Sequence, residues 1–250
     1  PSIYSLKQLD DFICALIDRN KTGYPIHLKF DTGMNRLGFE ISELNELITV
    51  ISNQPEVRIE GVFSHLASSD NSKDDNFSRS QFTAFEETTQ QVEHLLGYSV
   101  TKHMLNTAGI ERFKTKHYDM VRLGLGLYGL SENKLTNPVL SLNTKISQIK
   151  SLNSGDSIGY GTQHKANKPT IIGIIPIGYA DGFSRAFSNG IGSVFINGKM
   201  VPIIGSICMD MTMIDITNVS ASEGDVVEIF GDNRLITQMA EDISTIPYEI

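Results

Sequence analysis

Two rhythms of hydrophobic spacing divide the chain. From the start to about residue 130, short apolar runs alternate with longer stretches of helical spacing. Residues 26–30 predict a strand that ends at the turn Asp31-Thr32-Gly33. Leu44, Leu47, Ile48 and Ile51 then repeat at i, i+3, i+4 and i+7, which predicts an amphipathic helix with Ser42 as its cap. Residues 57–66 predict a second strand, and the polar loop 68–76 leads into a long helix with Phe82, Phe85, Thr89, Val92 and Leu96 at helical spacing. Further short strands are expected to end near Asn106 and Leu123. Strand and helix in alternation predict a parallel sheet with crossover helices.

After about Pro138 the rhythm shortens. Strands are predicted at 140–150, 170–176, 193–196, 201–209, 213–215 and 226–230, with one helix near 235–243. Turns carry Asn153-Ser154-Gly155-Asp156, Asn197-Gly198 and Glu223-Gly224-Asp225, and Asn197-Gly198 is a strong hairpin signal. The expectation is an α/β unit over 1–134 followed by a mostly antiparallel β domain over 135–250. The first part supplies about four βα-type units, where a closed (β/α)8 barrel needs eight and about 250 residues. It is therefore either a small open sheet or part of a larger domain.

Composition narrows the class. The 250 residues are 40% hydrophobic and 20% charged, enough to bury a sizeable core in one large domain or two modest ones. A net charge of -8 argues against nucleic acid and anionic membranes as partners. No apolar run approaches the roughly 18 residues of a membrane span. Cys14 and Cys208 are too few for a disulfide framework, so a reducing, cytoplasmic setting is expected, with no export signal at the start. The histidines are scattered, which argues against a metal site. Gly124-Leu125-Gly126 lacks the third glycine of a dinucleotide fingerprint.

Several polar clusters fall just past predicted strand ends, where parallel sheets place their chemistry. They are the run 29–38, Ser64-His65, Asn106-Thr107 and Arg122-Leu123-Gly124. Singly, each also reads as structure: Asn106-Thr107 as a helix cap, Arg122 as the partner of a surface carboxylate, His65 as a hydrogen-bonded core histidine. Together they point to a phosphorylated ligand. A helix N-terminus with Asn, Thr and Gly suits a phosphate, and an Arg and a His beside it can address an aromatic ring or a carboxylate. The second half adds Gly159-Tyr160-Gly161, Gly178-Tyr179-Ala180-Asp181-Gly182 and Cys208-Met209-Asp210. A tyrosine between glycines is equally a turn aromatic, and Cys208 alone reads as a buried thiol.

These segments carry a resemblance. His27 through Gly38, Gly61-Val62-Phe63-Ser64-His65, Asn106-Thr107-Ala108, Val121 through Gly129, Gly159-Tyr160-Gly161, Pro176 through Gly182, and Pro202 through Asp210 run in the order found in the alanine racemases. The chain resembles that family of pyridoxal-phosphate enzymes, which interconvert L- and D-alanine. The resemblance implies the C-terminal part of a (β/α)8 barrel, holding pyridoxal 5'-phosphate, followed by a β domain. It implies that Tyr160 is the catalytic base on one face of the substrate α-carbon, contributed across a homodimer interface. A tyrosine titrates near pH 10 in water, so it needs positive neighbours; Arg36 and His65 match the positions that supply them, Arg36 also meeting substrate. Arg122 matches the arginine facing the pyridine nitrogen. Asn106, Thr107, Gly124 and Leu125 match cofactor-binding positions. Met209 matches a residue whose backbone N–H meets the substrate carboxylate, with Asp210 beside it and Tyr179 at the entrance. Lys29 matches a lysine often carbamylated in the family.

One departure stands out. The Lys-Ala-Asn-Ala-Tyr-Gly type of motif that carries the family's Schiff-base lysine does not occur, and neither does its final phosphate-binding tyrosine segment. The chain thus reads as a fragment, expected to be inactive alone, of a protein that racemises alanine by a two-base mechanism and supplies D-alanine for peptidoglycan. Serine or another amino acid as substrate is the alternative among enzymes, since one hydroxyl is admitted by a small pocket change. A non-catalytic dimerisation module is the alternative outside them.

Overall fold

The computed structural model describes residues 1–131, 137–162 and 164–250. They form two compact units, one of Pro1–Leu127 with Ser131 and the other of Tyr128–Leu130 with the described residues from 137 to 250. The expected division between 134 and 135 lies outside the described residues.

In the first unit the elements are β1 (Ser2–Ile3), α1 (Leu6–Ile17), β2 (Tyr24–Lys29), α2 (Leu44–Ser52), β3 (Val57–Phe63), α3 (Asp75–Leu96), β4 (Thr101–His103) and α4 (Thr107–Arg112). The strands form one parallel sheet in the order β1-β2-β3-β4, each paired with its neighbour in sequence as in a (β/α)8 barrel. Its core follows the periodicity of the sequence. Leu9, Ile13 and Leu16 of α1, the four apolar positions of α2, and Phe82, Phe85 and Val92 of α3 are buried with Ile26, Leu28, Ile59 and Val62 of the sheet. Replacing the fully buried Phe85 by Ala would cost about 3–5 kcal/mol.

Local expectations are corrected at three points. Ser42 does not cap α2: a 3-10 turn, Ile41–Glu43, precedes the helix, and the Glu43 carboxylate accepts the Glu40 N–H at 2.7 Å. The strand predicted over 57–66 stops at Phe63, because the Ser64 carbonyl turns to accept from an arginine instead of a strand. No strand ends near Leu123. That stretch touches the sheet edge through a single bridge from Met120 to His103 and a bond from the Arg122 N–H to the Leu105 carbonyl at 2.9 Å.

The second unit holds β5 (Leu142–Lys145), β6 (Gln148–Leu152), β7 (Thr170–Ile175), β8 (Ser193–Ile196), β9 (Lys199–Ile204), β10 (Thr212–Asp215), β11 (Val226–Phe230) and α5 (Ile236–Asp242). They make an antiparallel sheet in the order β5-β11-β8-β9-β10-β7-β6. The single run predicted over 140–150 is two strands. Ile146 N–H bonds to Asp225 O and Ser147 N–H to Ile174 O, so the chain leaves β11 and joins β7 at that step. Asn197-Gly198 does form the hairpin of β8 and β9, with φ of 46° and 83° as a type I′ turn requires. Val194, Ile196, Val201, Ile203, Ile214, Val227 and Ile229 fill the core. Among the described residues no helix is long and apolar enough to cross a membrane.

Candidate active site

Strand ends in the first unit place the chemistry. Lys29 is the last residue of β2, Ser64-His65 follow β3, and Asn106 follows β4. Arg122 is the hub. Its Nη1 donates to His103 Nδ1 at 2.6 Å, and its Nη2 donates to the carbonyls of Ser64 (2.7 Å) and Met104 (3.1 Å) and to His65 Nδ1 (3.1 Å). Its guanidinium also lies 5.2 Å from the centroid of the Phe63 ring. Every one of these partners is neutral. Burial pushes the arginine down to about 10, which still leaves it charged near neutrality.

Arginine has only donors, so each imidazole facing it must accept, which assigns the histidine protons by inference. His65 then carries its proton on Nε2 and stays neutral. Burial, with Arg122, Arg36 and Lys29 adding to it, drops its pKa to about 4. His65 thus senses three of the residues singled out in the sequence: Lys29, Arg36 and Arg122 share one electrostatic neighbourhood. Gln81, wholly buried on α3, pins the segment. It accepts from the Ala67 N–H (3.0 Å) and donates to the His65 carbonyl (3.0 Å) and to Thr32 Oγ1 (3.3 Å), which in turn meets Ser64 Oγ at 2.8 Å.

The loop after β2 presents Arg36 through Asp31. One carboxylate oxygen accepts the N–H of Gly33 (2.8 Å) and Asn35 (3.1 Å), and the other the N–H of Arg36 (3.1 Å). Burial alone would raise this acid, but the backbone donors outweigh it and hold the carboxyl below its usual range. Lys29 Nζ donates to the Leu37 carbonyl. Burial, helped by Arg36 and Arg122 and opposed by Asp31, pushes the lysine below its ordinary pKa.

A second group gathers at α4. Asn106 Oδ1 accepts the Gly109 N–H at 3.0 Å and the Ser69 hydroxyl at 2.7 Å, so its capping oxygen is already engaged. Thr107 Oγ1 accepts the N–H groups of Gly124 (3.0 Å) and Gly126 (3.1 Å), which ties the 124–126 turn containing Leu125 to the start of α4 and leaves the hydroxyl proton to donate elsewhere.

The second unit carries the rest. Tyr160 is 77% exposed, and its hydroxyl makes no hydrogen bond among the described residues. With Lys150, Cys208, Asp210 and Met213 it lines a concavity of about 410 Å³. Gly178 packs against the 208–209 backbone so closely that a Cβ would lie 2.3 Å from the Cys208 carbonyl oxygen. Tyr179 N–H donates to that oxygen at 3.0 Å, and Ala180 N–H to the Met209 oxygen at 2.9 Å. The Met209 N–H is left without a partner among the described residues. Burial, with Asp210 adding to it, raises the Cys208 thiol above its ordinary pKa, which disfavours the thiolate.

Sequence reading did not single out the roles of His103, His27, Gln81 and Asp31. A glutamine set within the apolar stripe of α3 was a usable signal; single histidines on strands gave none.

Both parts of the chain match known proteins. Residues 1–132 match the model of the alanine racemase N-terminal domain, and residues 139–250 that of the alanine racemase C-terminal domain. Alanine racemase 1 of Oceanobacillus iheyensis is 36% identical over 99% of this chain, which spans 69% of that protein. The alanine racemase of a D-cycloserine-producing Streptomyces lavendulae superposes with a TM-score of 0.93 at 29% identity, covering 100% of this chain and 68% of its own. That of Bartonella henselae, solved with covalently bound pyridoxal phosphate, gives a TM-score of 0.85 at 28% identity, covering 100% of this chain and 69% of its own.

Proposed function

The chain belongs to the alanine racemase family of isomerases, and on that premise we propose that the whole protein interconverts L- and D-alanine with pyridoxal 5'-phosphate as cofactor. One observation carries this reading: Arg122 is a desolvated cation whose hydrogen-bond partners among the described residues are carbonyls and imidazole lone pairs. That donor set fits a pyridine ring. A guanidinium does not give up its proton near neutrality, so Arg122 would donate to a pyridine nitrogen and would not protonate it. When bound, pyridoxal phosphate supplies the electron withdrawal that acidifies the substrate α-carbon.

This chain's residues do part of the remaining work; the family's Schiff-base lysine motif is not among them. Asn106, Thr107, Gly124 and Leu125 would frame the phosphate, with the Thr107 hydroxyl proton as the donor still available; Asn106 Oδ1 and the Gly124 N–H are already engaged. Tyr160 Oη takes or returns the α-proton on one face, acting across a homodimer interface, and its exposure suits a group completed by a second protomer. Arg36 supplies positive charge; His65, expected to add to it, is instead neutral and supplies a fixed Nε2–H donor. The Met209 N–H binds the alanine carboxylate beside Asp210, with Tyr179 at the entrance. Lys29 is the candidate for carbamylation: burial lowers its pKa, and a neutral amine there would take up carbon dioxide and release a proton. The resulting anion turns repulsion from Arg36 into attraction. The two unpaired cysteines support a cytoplasmic setting.

Borohydride reduction of the whole protein with its cofactor, followed by peptide mass spectrometry, tests the reading. A pyridoxyl group on one lysine, with L- to D-alanine conversion lost on reduction, is expected. Absence of any pyridoxyl-lysine overturns it. A kcat/KM for serine above that for alanine would transfer the reaction to the hydroxyl-bearing substrate.

A further inference from the structure

Behind Arg122 lies a feature the reaction does not call on directly. His103 Nε2 is 2.8 Å from Nδ1 of His27, a residue two strands away in the same sheet. The contact requires two backbone devices. The register of β2 on β3 slips by one residue between Ile26–Ile59 and His27–Gly61, leaving Glu60 as a bulge. Gly61 then lies beneath the His27 ring, where a Cβ would stand 2.5 Å from Nδ1 and 2.9 Å from the Thr101 carbonyl oxygen. The ring therefore reaches over β3 to His103 on β4, which is itself stacked at 4.8 Å on Phe63.

Donor and acceptor arithmetic fixes the protons along this line. Arg122 donates to His103 Nδ1, so His103 bears its proton on Nε2 and donates it to His27 Nδ1, which must be bare. We infer that His27 and His103 form a neutral, single-tautomer relay, seated by Gly61, which holds the Arg122 guanidinium in its working plane. His27 and His103 are positioning residues. Without the acceptor on His27, His103 gains nothing from its Nε2 proton and is free to take the other tautomer. That would set an N–H against the N–H of Arg122. Burial holds both imidazoles below their ordinary pKa, His103 at about 3, so neither becomes a cation beside the guanidinium near neutrality.

The consequence for catalysis rests on the reading of Arg122 as the pyridine partner; the relay itself does not. His27→Phe keeps a ring over Gly61 but has no acceptor, whereas His27→Asn places an amide oxygen near the position of Nδ1. In the holoenzyme, His27→Phe is expected to lower kcat about tenfold with KM for alanine nearly unchanged, and to weaken pyridoxal-phosphate binding about tenfold in titrations of the apoenzyme. His27→Asn is expected to restore most of both. If the two variants fall together, or neither changes, the relay does not orient Arg122. Two-bond 15N–1H spectra of histidine-labelled wild-type protein test it without any variant. Both residues are expected as neutral Nε2–H tautomers from about pH 6 to about 8. A charged His103, or an Nδ1–H tautomer there, overturns the relay. If those tautomers are found while Arg122→Lys leaves cofactor affinity unchanged, the relay stands and the reading of Arg122 falls.

Discussion

Polar groups in the two units are built on opposite terms. In the first, Arg122, His65 and His103 are largely removed from water, each has partners within 3.1 Å, and their pKa values are displaced by burial. In the second, Tyr160, Met209 and Tyr179 stand at 77%, 58% and 47% exposure. The Tyr160 hydroxyl and the Met209 N–H wait without partners among the described residues. One surface is preorganised before anything binds; the other is fixed in its backbone and open in its functional atoms. Electrostatic work can be stored in advance only where water is already excluded. The second unit's chemistry therefore depends on what covers it.

Substitutions can break this comparison. Arg122→Leu should do most, stranding two carbonyls and His65 and His103 without their donor. Thermal unfolding should show a loss of about 3 kcal/mol, and racemisation a loss of about a thousandfold. Tyr160→Phe should cost about a hundredfold to a thousandfold in kcat, yet leave the unfolding midpoint unchanged, because its hydroxyl holds nothing in place. A comparable fall in stability would show the two units to be alike.

Smaller effects sharpen the contrast. Gly178→Ala forces the Cys208–Met209 backbone outward, and the expected result is a rise of about tenfold in KM for alanine with a smaller change in kcat. Thr107→Val removes an acceptor shared by two N–H groups and should weaken cofactor binding about fivefold to tenfold in equilibrium titration. The smallest effect is a slope with pH. His65 titrates near 6.5 when unfolded and near 4 when folded, so the unfolded state binds the proton first as pH falls. Its contribution to stability is complete above about pH 6.5 and drains away toward pH 4. Melting curves of His65→Asn across that window should be flatter than those of the wild type.

How much of this was legible depended on the range of the contact. The apolar stripes of α2 and α3, and the Asn197-Gly198 hairpin, follow from residues within one or two turns of each other. The polar clusters singled out in the sequence lie at strand ends, in loops and 3-10 turns, and at the start of α4. The wiring between clusters was not readable, because it joins residues far apart in the chain and has no period. Arg122 meets His65 and His103 across intervening strands and helices, and His27 meets His103 only because a bulge and a glycine let it. Even Ser42 yielded to Glu40 and Glu43, where a 3-10 turn moved the start of the helix.

Strand order has a further consequence, in time. In the first unit each strand pairs with the next one made, so the sheet can grow as the chain leaves the ribosome. In the second, β5 has no neighbour until β11 is synthesised, and β7 lacks its second neighbour until β10 is made. The unit that stores the charged network can thus be assembled while the other is still an unfinished ribbon. A chain stalled before Val226 would carry an ordered first unit and an unpaired β5 edge, which is where a chaperone or a protease would first find purchase.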